Sequence, residues 1–210
     1  MTTITKIDLQ TASREEAGKR FAVIYADPPW DIAQMGKRGA IHHYDLMTLE
    51  RITQMPIADL AADNATLLLW TTNAALPGAL EVMKAWGFEY KTNAVWDKYY
   101  MGLGNYFRGS HEILLHGVRG TAPFKFRGQR STLLLPRTTH STKPAEMIPL
   151  IERVLDGPYL ELFARQRPNS HADWSVWGNE IDSDIAIPGY PVPSDFTRRT
   201  SPADGGRRDA

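Results

Sequence analysis

Short apolar runs alternate with helical patterns along most of the chain. The run at 21–25, FAVIY, is typical of a buried strand that leads to Asp27. Shorter apolar runs predict further strands at 66–70, 94–96, 113–115, 133–135 and 159–163. Apolar residues at helical spacing predict helices at 46–60 (broken by Pro56), at 80–86 (stopped by Gly87) and at 143–155. This alternation predicts an α/β sandwich built on a mostly parallel central sheet.

The predicted strand ends carry polar and aromatic side chains. Asp27, Trp70, Asp97 and Arg165 each lie at or just after the end of a predicted strand. Ligands of parallel α/β sheets bind beyond the carboxyl ends of the strands. We therefore expect the functional site at that edge of the sheet.

Length and composition fit one domain with extensions at both ends. The chain has 210 residues, of which 42% are hydrophobic and 23% charged, as in an ordinary globular domain. We expect a polar N-terminal extension at 1–20 and a folded domain at 21–181. Residues 182–210 are rich in Pro, Gly, Ser and Arg, which predicts a disordered tail.

Charge and cysteine content narrow the classes of function. The chain has 24 basic and 24 acidic residues, whereas a protein that holds nucleic acid by bulk electrostatics is usually basic. Any nucleic acid must therefore be held by local patches or through a partner. There is no cysteine, and the histidines lack metal-ligand spacing, so we expect no metal. The chain has no apolar run of about 20 residues and no secretory layout at its start, which predicts a cytoplasmic protein without a membrane segment.

The segment Asp27-Pro28-Pro29-Trp30 carries the most specific chemistry. The two prolines fix φ and remove two amide donors, which predicts a rigid acceptor pair, the Asp27 carboxylate and the Pro28 carbonyl, without a competing local hydrogen bond. Two acceptors that hold the exocyclic amine of adenine would localise its lone pair for attack on a methyl sulfonium. Trp30 would stack on an unpaired base. Taken alone, the segment could equally be a strand-ending turn.

Further motifs follow this segment in order. They are LLLWTT at 67–72, WGFE at 86–89, VWDK at 95–98, HE at 111–112, GVRG at 117–120, STKPAEM at 141–147, ELFAR at 161–165 and WGNE at 177–180. Together they resemble the MT-A70 family of adenine-N6 methyltransferases over about residues 20 to 181. The resemblance implies a Rossmann-like class I methyltransferase fold with β-type motif order, in which the catalytic motif precedes the cofactor segments. It also implies S-adenosyl-L-methionine as cofactor and is strongest to prokaryotic or phage-type members.

The resemblance assigns roles position by position. Asp27, Pro28, Pro29 and Trp30 would form the site for the target adenine, and Asp27 would also meet the methionine amine of the cofactor. Lys143 would pair with the methionine carboxylate, and Glu161 would accept from the ribose hydroxyls. The remaining cofactor positions are Asp8, Leu9, Leu162, Phe163, Arg165, Asn169, Asn179 and Glu180. The segment 165–169 is one residue longer than is usual in the family, which leaves the choice between Arg165 and Arg167 open.

Three loops mix basic and aromatic residues and are candidates for nucleic-acid contact. They lie at 34–44, 99–111 and 119–130. The candidate substrate residues in and around them are Lys37, Arg38, Tyr44, Trp96, Lys98, Tyr106, Arg108, Glu112, Lys125 and Arg127. The alternative is that these are solvated loops whose aromatic side chains pack on the core.

Several functions remain open at this point. DNA is the preferred substrate, because the compact chain is similar to stand-alone prokaryotic members; the same reaction on RNA is the alternative. A catalytically silent scaffold that binds nucleic acid or a partner methyltransferase is disfavoured, because Asp27, Trp30, Lys143 and Asn179 are all present. Methyltransferases for protein glutamine have a motif that begins with Asn and ends with Tyr or Phe, unlike this one. A homodimer and a requirement for a partner subunit both stay open.

Overall fold

The computed structural model describes residues 20–31, 46–102, 106–135 and 143–197. In chain order the elements are β1 (Phe21–Ala26), α1 (Leu49–Thr53), α2 (Ile57–Leu60), β2 (Ala61–Thr71), α3 (Leu76–Ala85), β3 (Glu89–Asp97), β4 (His111–Arg119), β5 (Thr132–Leu134), α4 (Met147–Val154), β6 (Tyr159–Leu162), β7 (Trp174–Trp177) and α5 (Pro193–Thr197). Five predicted site residues lie outside the described residues: Asp8, Leu9, Lys37, Arg38 and Tyr44. No described helix is long and apolar enough to cross a membrane.

The seven strands form one sheet in the order β5-β3-β4-β2-β1-β6-β7. The pairs β5–β3, β2–β1, β1–β6 and β6–β7 are parallel, and β4 runs antiparallel to both of its neighbours. The predicted α/β fold with a mostly parallel sheet is confirmed. Because β4 is reversed, its first residues lie at the same edge as the last residues of the parallel strands.

Alternating side chains of the sheet build two cores. Ile24 and Ala26 of β1 lie in a core with residues of α1 and α3, whereas Val23 and Tyr25 lie in a second core beneath α4. Because side chains alternate along a strand, Asp27 follows Tyr25 onto the α4 side of the sheet. This places the DPPW segment where β1 leaves that core.

Helix α3 ends as its sequence predicts. Gly87 has a φ of +84°, which a residue with a side chain rarely adopts. Its N–H donates to the carbonyl of Lys84 at 3.0 Å, and the N–H of Phe88 donates to the carbonyl of Met83 at 3.0 Å. This pair of bonds is the Schellman motif, and buried Phe88 anchors it on the core.

Helix α4 begins four residues later than its apolar pattern predicts. The predicted helix starts at Lys143, but residues 144–146 form a turn, in which Met147 N–H donates to the carbonyl of Pro144 at 3.1 Å. A hydrogen bond between residues i and i+3 is typical of a 3₁₀ turn, which is tighter than a turn of α-helix. Lys143 therefore precedes the helix, at the carboxyl edge of the sheet.

The packed domain extends beyond residue 181. Ile185, Ile187 and Val192 are buried in the core shared with α1 and α3, and Ser183 is fully buried. Asp184 covers the outer edge of β7: its N–H donates to the carbonyl of Val176, and its carboxylate accepts from the Val176 N–H, both at 2.8 Å. The prediction of a disordered tail from 182 is therefore wrong for 182–197; residues 198–210 lie outside the described part. The composition of the segment suggested disorder, but three apolar side chains are enough to pack it against the core.

Candidate active site

Four charged side chains form one network at the carboxyl edge of the sheet. The Nζ atom of Lys143 donates to Oδ2 of Asp27 at 2.5 Å and lies 3.2 Å from Oε2 of Glu112. The other carboxylate oxygen of Glu112 is paired with Lys98. Cations and anions thus alternate in the order Lys98, Glu112, Lys143, Asp27. All four were predicted site residues, and the structure brings them together.

Topology explains why residues so far apart in sequence meet. Asp27 follows β1, Lys98 follows β3, and Lys143 precedes α4. Glu112 is the second residue of β4, and only the reversed direction of that strand brings it to the same edge. The network therefore depends on strand order and direction and not on local sequence.

Buried aromatic side chains form the floor of the network. Trp70 is fully buried, its indole N–H donates to the Tyr25 hydroxyl at 2.8 Å, and Lys143 Nζ lies 5.4 Å from its ring centroid. Trp96 packs against Trp70 edge to face, with ring centroids 6.1 Å apart. Lys98 Nζ lies 4.9 Å from the Trp96 ring centroid, so both cations rest on indole rings. Tyr25 was missed as a supporting residue, although its position two residues before Asp27 on a strand indicates the shared face.

Trp96 was predicted to contact the substrate, and this is wrong. Its side chain is only 1% exposed, and its indole N–H donates to the carbonyl of Leu135 at 2.9 Å. A ring enclosed in this way supports Lys98 from below and has no face open to a base.

The DPPW segment is clamped by a second segment of the chain. The N–H of Met47 donates to the carbonyl of Pro29 at 2.9 Å, and the N–H of Asp31 donates to the carbonyl of Met47 at 3.1 Å. The Pro28 carbonyl accepts from the N–H of Trp30 at 2.9 Å, so the prediction that it has no competing local hydrogen bond is wrong. A carbonyl oxygen has a second lone pair, which leaves Pro28 able to accept once more.

The Trp30 ring is held at the end of β2. Its indole N–H donates to the carbonyl of Trp70 at 3.1 Å, and the ring is half-buried against the core beneath α1 and α3. Trp30 therefore presents a fixed aromatic surface three residues after Asp27, at the end of β2. A fixed ring can stack on a planar ligand with little loss of side-chain entropy.

Burial and ion pairing shift the pKa values of three side chains in the network. Removal from water raises the pKa of the Asp27 carboxyl, and the Lys143 ammonium opposes this rise. The pKa of Glu112 is lowered, because the attraction of Lys143 and Lys98 together outweighs its burial. The same carboxylates keep the pKa of Lys143 above its usual value despite burial. The lysine is thus a firmly charged cation between two carboxylates.

Glu161 lies beside this network on β6. It pairs with Tyr25 in the sheet register, which places it on the face that carries Asp27. Burial and the charge of Asp27 raise its pKa to about 7. A ligand that donates hydrogen bonds to Glu161 would therefore stabilise its ionised form near neutral pH.

The predicted cofactor segments after β6 and β7 lie against each other. Phe163 has a φ of +63° and packs edge to face on Trp177. A Cβ atom at Gly178 would lie 2.0 Å from the carbonyl oxygen of Ala164, so only glycine allows this approach. The approach brings Arg165 and Glu180 together in an ion pair of 2.8 Å.

The structure separates the two arginines between which the sequence left a choice. Arg167 forms a fork with the Asp184 carboxylate, at 3.0 and 2.7 Å, and serves to dock the segment after β7. Arg165 is paired with Glu180, itself a predicted cofactor residue. Asn169 is exposed and precedes Ser170, whose hydroxyl contacts Glu152 of α4. The cofactor roles of these residues, like those of Leu162, Asn179 and the other predicted cofactor positions, stay predictions.

The predicted substrate residues divide between the two edges of the sheet. Tyr106 and Arg108 lie in the connection between β3 and β4, at the edge that holds Asp27. Lys125 pairs with Asp156, which precedes β6, at 2.8 Å and donates to the carbonyl of Glu152 near the end of α4. Lys125 therefore lies at the opposite edge from Asp27, and its contact with the substrate stays a prediction. Arg127 is exposed in the same loop, and its role stays a prediction.

The chain is similar to a known protein family and to several known proteins. The family model for MT-A70 matches residues 21–180. The type II methyltransferase M.MunI of a Mycoplasma species is 34% identical over 194 residues, which are 81% of this chain and 82% of that protein. The human N(6)-adenosine-methyltransferase catalytic subunit METTL3 is 28% identical over 173 residues, and an Arabidopsis thaliana N(6)-adenosine-methyltransferase MT-A70-like protein is 28% identical over 171.

The extent of these matches differs. The matches to the human and Arabidopsis proteins cover 78% and 77% of this chain but only 28% and 24% of those two proteins. The match to M.MunI, in contrast, spans most of both chains. The family match covers the sheet from β1 through β7 and includes all four members of the charged network. The chain belongs to the MT-A70 family.

Proposed function

We propose that this chain transfers a methyl group from S-adenosyl-L-methionine to N6 of adenine in DNA. The observation that supports this most strongly is the Asp27 carboxylate, held at the sheet edge within 2.5 Å of Lys143 and followed by the fixed ring of Trp30. A carboxylate, a cation and an aromatic face are the groups needed to hold an amine, an α-carboxylate and a base. The names of the relatives support the reaction: two are adenosine methyltransferases and one is a type II methyltransferase.

The residues present fit the proposed cofactor. Lys143 supplies a buried ammonium for the methionine carboxylate. The surroundings of Glu161 disfavour its ionised form, so ribose hydroxyls that donate to it would stabilise the carboxylate. When bound, the sulfonium supplies an electrophilic methyl group.

The chain's own groups would then orient the nucleophile. Asp27 would accept from the N6 amine and so favour the pyramidal form of N6, in which the nitrogen lone pair is localised on N6 and is not spread into the ring. The bound cofactor would supply its methyl group to the N6 lone pair, and its sulfonium would become a thioether that keeps the electron pair of the broken sulfur–carbon bond. N6 then sheds one proton, and Asp27, whose pKa is raised by burial, is placed to receive it.

Labelling with a tritiated methyl donor tests the substrate. Duplex DNA, single-stranded DNA and RNA oligonucleotides of equal adenine content would be compared, and the label located on N6 by digestion to nucleosides. DNA is expected to be labelled, because M.MunI matches across most of its length. Label on RNA alone would transfer the proposal to RNA, the second candidate, which the similarity to the human adenosine methyltransferase favours. Label on neither would overturn the reaction.

Replacing Trp30 with alanine is expected to impair base capture far more than cofactor binding. Loss of one stacking surface costs about 1–3 kcal/mol, so KM for the oligonucleotide should rise by about tenfold. Trp30→Phe keeps a ring but loses the hydrogen bond to the Trp70 carbonyl, so its KM should lie between those of the original protein and the alanine variant. Steady-state kinetics and cofactor titration provide the measurements. Equal losses in both would show that Trp30 is a cofactor or folding residue.

Cofactor affinity is expected to depend on pH through Glu161. The carboxyl has a pKa of about 7, and hydroxyl donors favour its ionised form, so affinity should improve as pH rises from 6 to 8. The ionised fraction grows about tenfold over that range, and the affinity constant should follow it. Glu161→Gln should bind more weakly and lose this dependence. Calorimetric titration of both proteins with the cofactor at several pH values measures this dependence. If the affinity of both proteins changed with pH to the same extent, Glu161 would be excluded as the cause.

A further inference from the structure

The connection between β3 and β4 exposes an unusual number of aromatic side chains. Its described residues, 98–102 and 106–110, are called here the aromatic hairpin. Tyr106 is 96% exposed and Phe107 98% exposed, and Tyr99, Tyr100 and Met101 are also mostly in water. Large apolar groups clustered at a surface usually mark a contact site.

The aromatic hairpin has a defined shape at its base. The N–H of Lys98 donates to the carbonyl of Ser110 at 2.8 Å, and the N–H of Gly102 donates to the carbonyl of Gly109 at 2.7 Å. Arg108 Nε donates to the carbonyl of Gly102 at 2.6 Å. The bond between Lys98 and Ser110 continues the register of β3 with β4, in which Asp97 pairs with His111, and the bond between Gly102 and Gly109 lies outside that register. The exposed rings are therefore carried on an ordered support.

One residue of this support is strained. Tyr99 has a φ of +63°, and its N–H donates to the Asp97 carboxylate at 2.8 Å. The left-handed conformation costs a side-chain-bearing residue about 1 kcal/mol or more, and such strain is concentrated at functional sites. Tyr99 and its neighbour Tyr100 are both mostly exposed, so packing in the core does not account for this strain.

Charge indicates the kind of partner. Residues 98–111 contain Lys98, Arg108 and His111 and no Asp or Glu, although the whole chain is neutral. Lys98 is already paired with Glu112, which leaves exposed Arg108 as the cation that the described hairpin offers to a partner. A cation among exposed rings suits the phosphates and bases of a nucleic acid. Lys98 also joins the hairpin to the catalytic edge, because it is ion-paired with Glu112.

From this placement we infer that the aromatic hairpin stacks on the bases next to the target adenine and sets the substrate's register. The inference rests on the proposed nucleic-acid substrate and adds the surface that holds the flanking nucleotides. An adenine that reaches Asp27 has left its stack, and its neighbours lose a stacking partner. Tyr106 and Phe107 are placed to replace that partner, while Arg108 meets the backbone phosphates.

The double variant Tyr106→Ala with Phe107→Ala tests this inference. Binding of a fluorescently labelled, adenine-containing single strand would be measured by anisotropy, and cofactor binding by calorimetry. We expect the dissociation constant for the strand to rise by about tenfold or more, with cofactor affinity unchanged. The double variant Tyr106→Trp with Phe107→Trp keeps both rings and should bind like the original protein. Phe196→Ala removes an exposed ring from α5 and is the matched control.

The possible outcomes separate the hairpin from the reaction. Unchanged strand binding in the double alanine variant would overturn the inference. So would a change in oligomeric state by sedimentation velocity without loss of strand affinity, which would mark the hairpin as a protein interface. If the original protein binds the strand and the variant does not, but neither labels adenine, the proposed reaction fails and the hairpin's role stands.

Discussion

Replacing Asp27 with asparagine is expected to slow methyl transfer by roughly 100- to 1000-fold while the protein stays folded. Asparagine keeps the size of the side chain and one acceptor oxygen, but it removes the charge that pairs with Lys143 and adds an NH₂ donor. A donor facing the amine of adenine repels the hydrogens that a carboxylate would accept. Single-turnover labelling, with donor and oligonucleotide both saturating, measures the loss.

The matched control for this variant is Asp31→Asn. Asp31 is an exposed carboxylate in the same loop, and the clamp on Met47 uses its backbone N–H and not its side chain. Asp31→Asn should therefore retain nearly full activity. If Asp27→Asn were as active as this control, the assignment of Asp27 as the acceptor for the amine would have to be given up.

The fold was predictable because its signals are local. The apolar run of β1, the apolar spacing of α4 and the glycine that ends α3 each reflect a few neighbouring residues. Strand β7, Trp174–Trp177, was not predicted, since Ser175 interrupts its apolar run. The segment 182–197 was predicted wrongly for a related reason: the docking residues Ile185, Ile187 and Val192 are diluted by polar ones.

The residues of the site could be predicted from the sequence, but the contacts between their side chains could not. Motif order identified Asp27, Glu112 and Lys143, yet no local pattern shows that Lys143 bridges the two carboxylates. That contact follows from the reversed direction of β4. The error at Trp96 and the unpredicted position of Lys125 have the same origin, because burial and the choice of sheet edge are properties of the assembled fold.

Replacing Lys143 with methionine is expected to have two separable effects. Methionine keeps the apolar stem over Trp70 but removes the cation, so the methionine carboxylate of the cofactor loses its partner. Losing one member of a largely buried charge pair costs about 2 kcal/mol or more, and cofactor affinity should fall by about 30-fold or more. The Asp27 and Glu112 carboxylates would also face each other without the ammonium between them.

The second effect is a shift in the pH profile, and it distinguishes this network from a simple cofactor contact. Lys143 lowers the pKa of Asp27 and Glu112 raises it, so removing Lys143 must raise the pKa of Asp27 further. Only the ionised Asp27 offers acceptor oxygens without a donor, and the acidic limb of the single-turnover rate should therefore move to higher pH. Lys143→Arg keeps the charge and should leave that limb in place. Lys125→Met removes an ion-paired lysine from the opposite edge and should alter neither quantity. A weaker cofactor affinity with an unmoved acidic limb would show that Lys143 binds the cofactor without controlling the ionisation of Asp27.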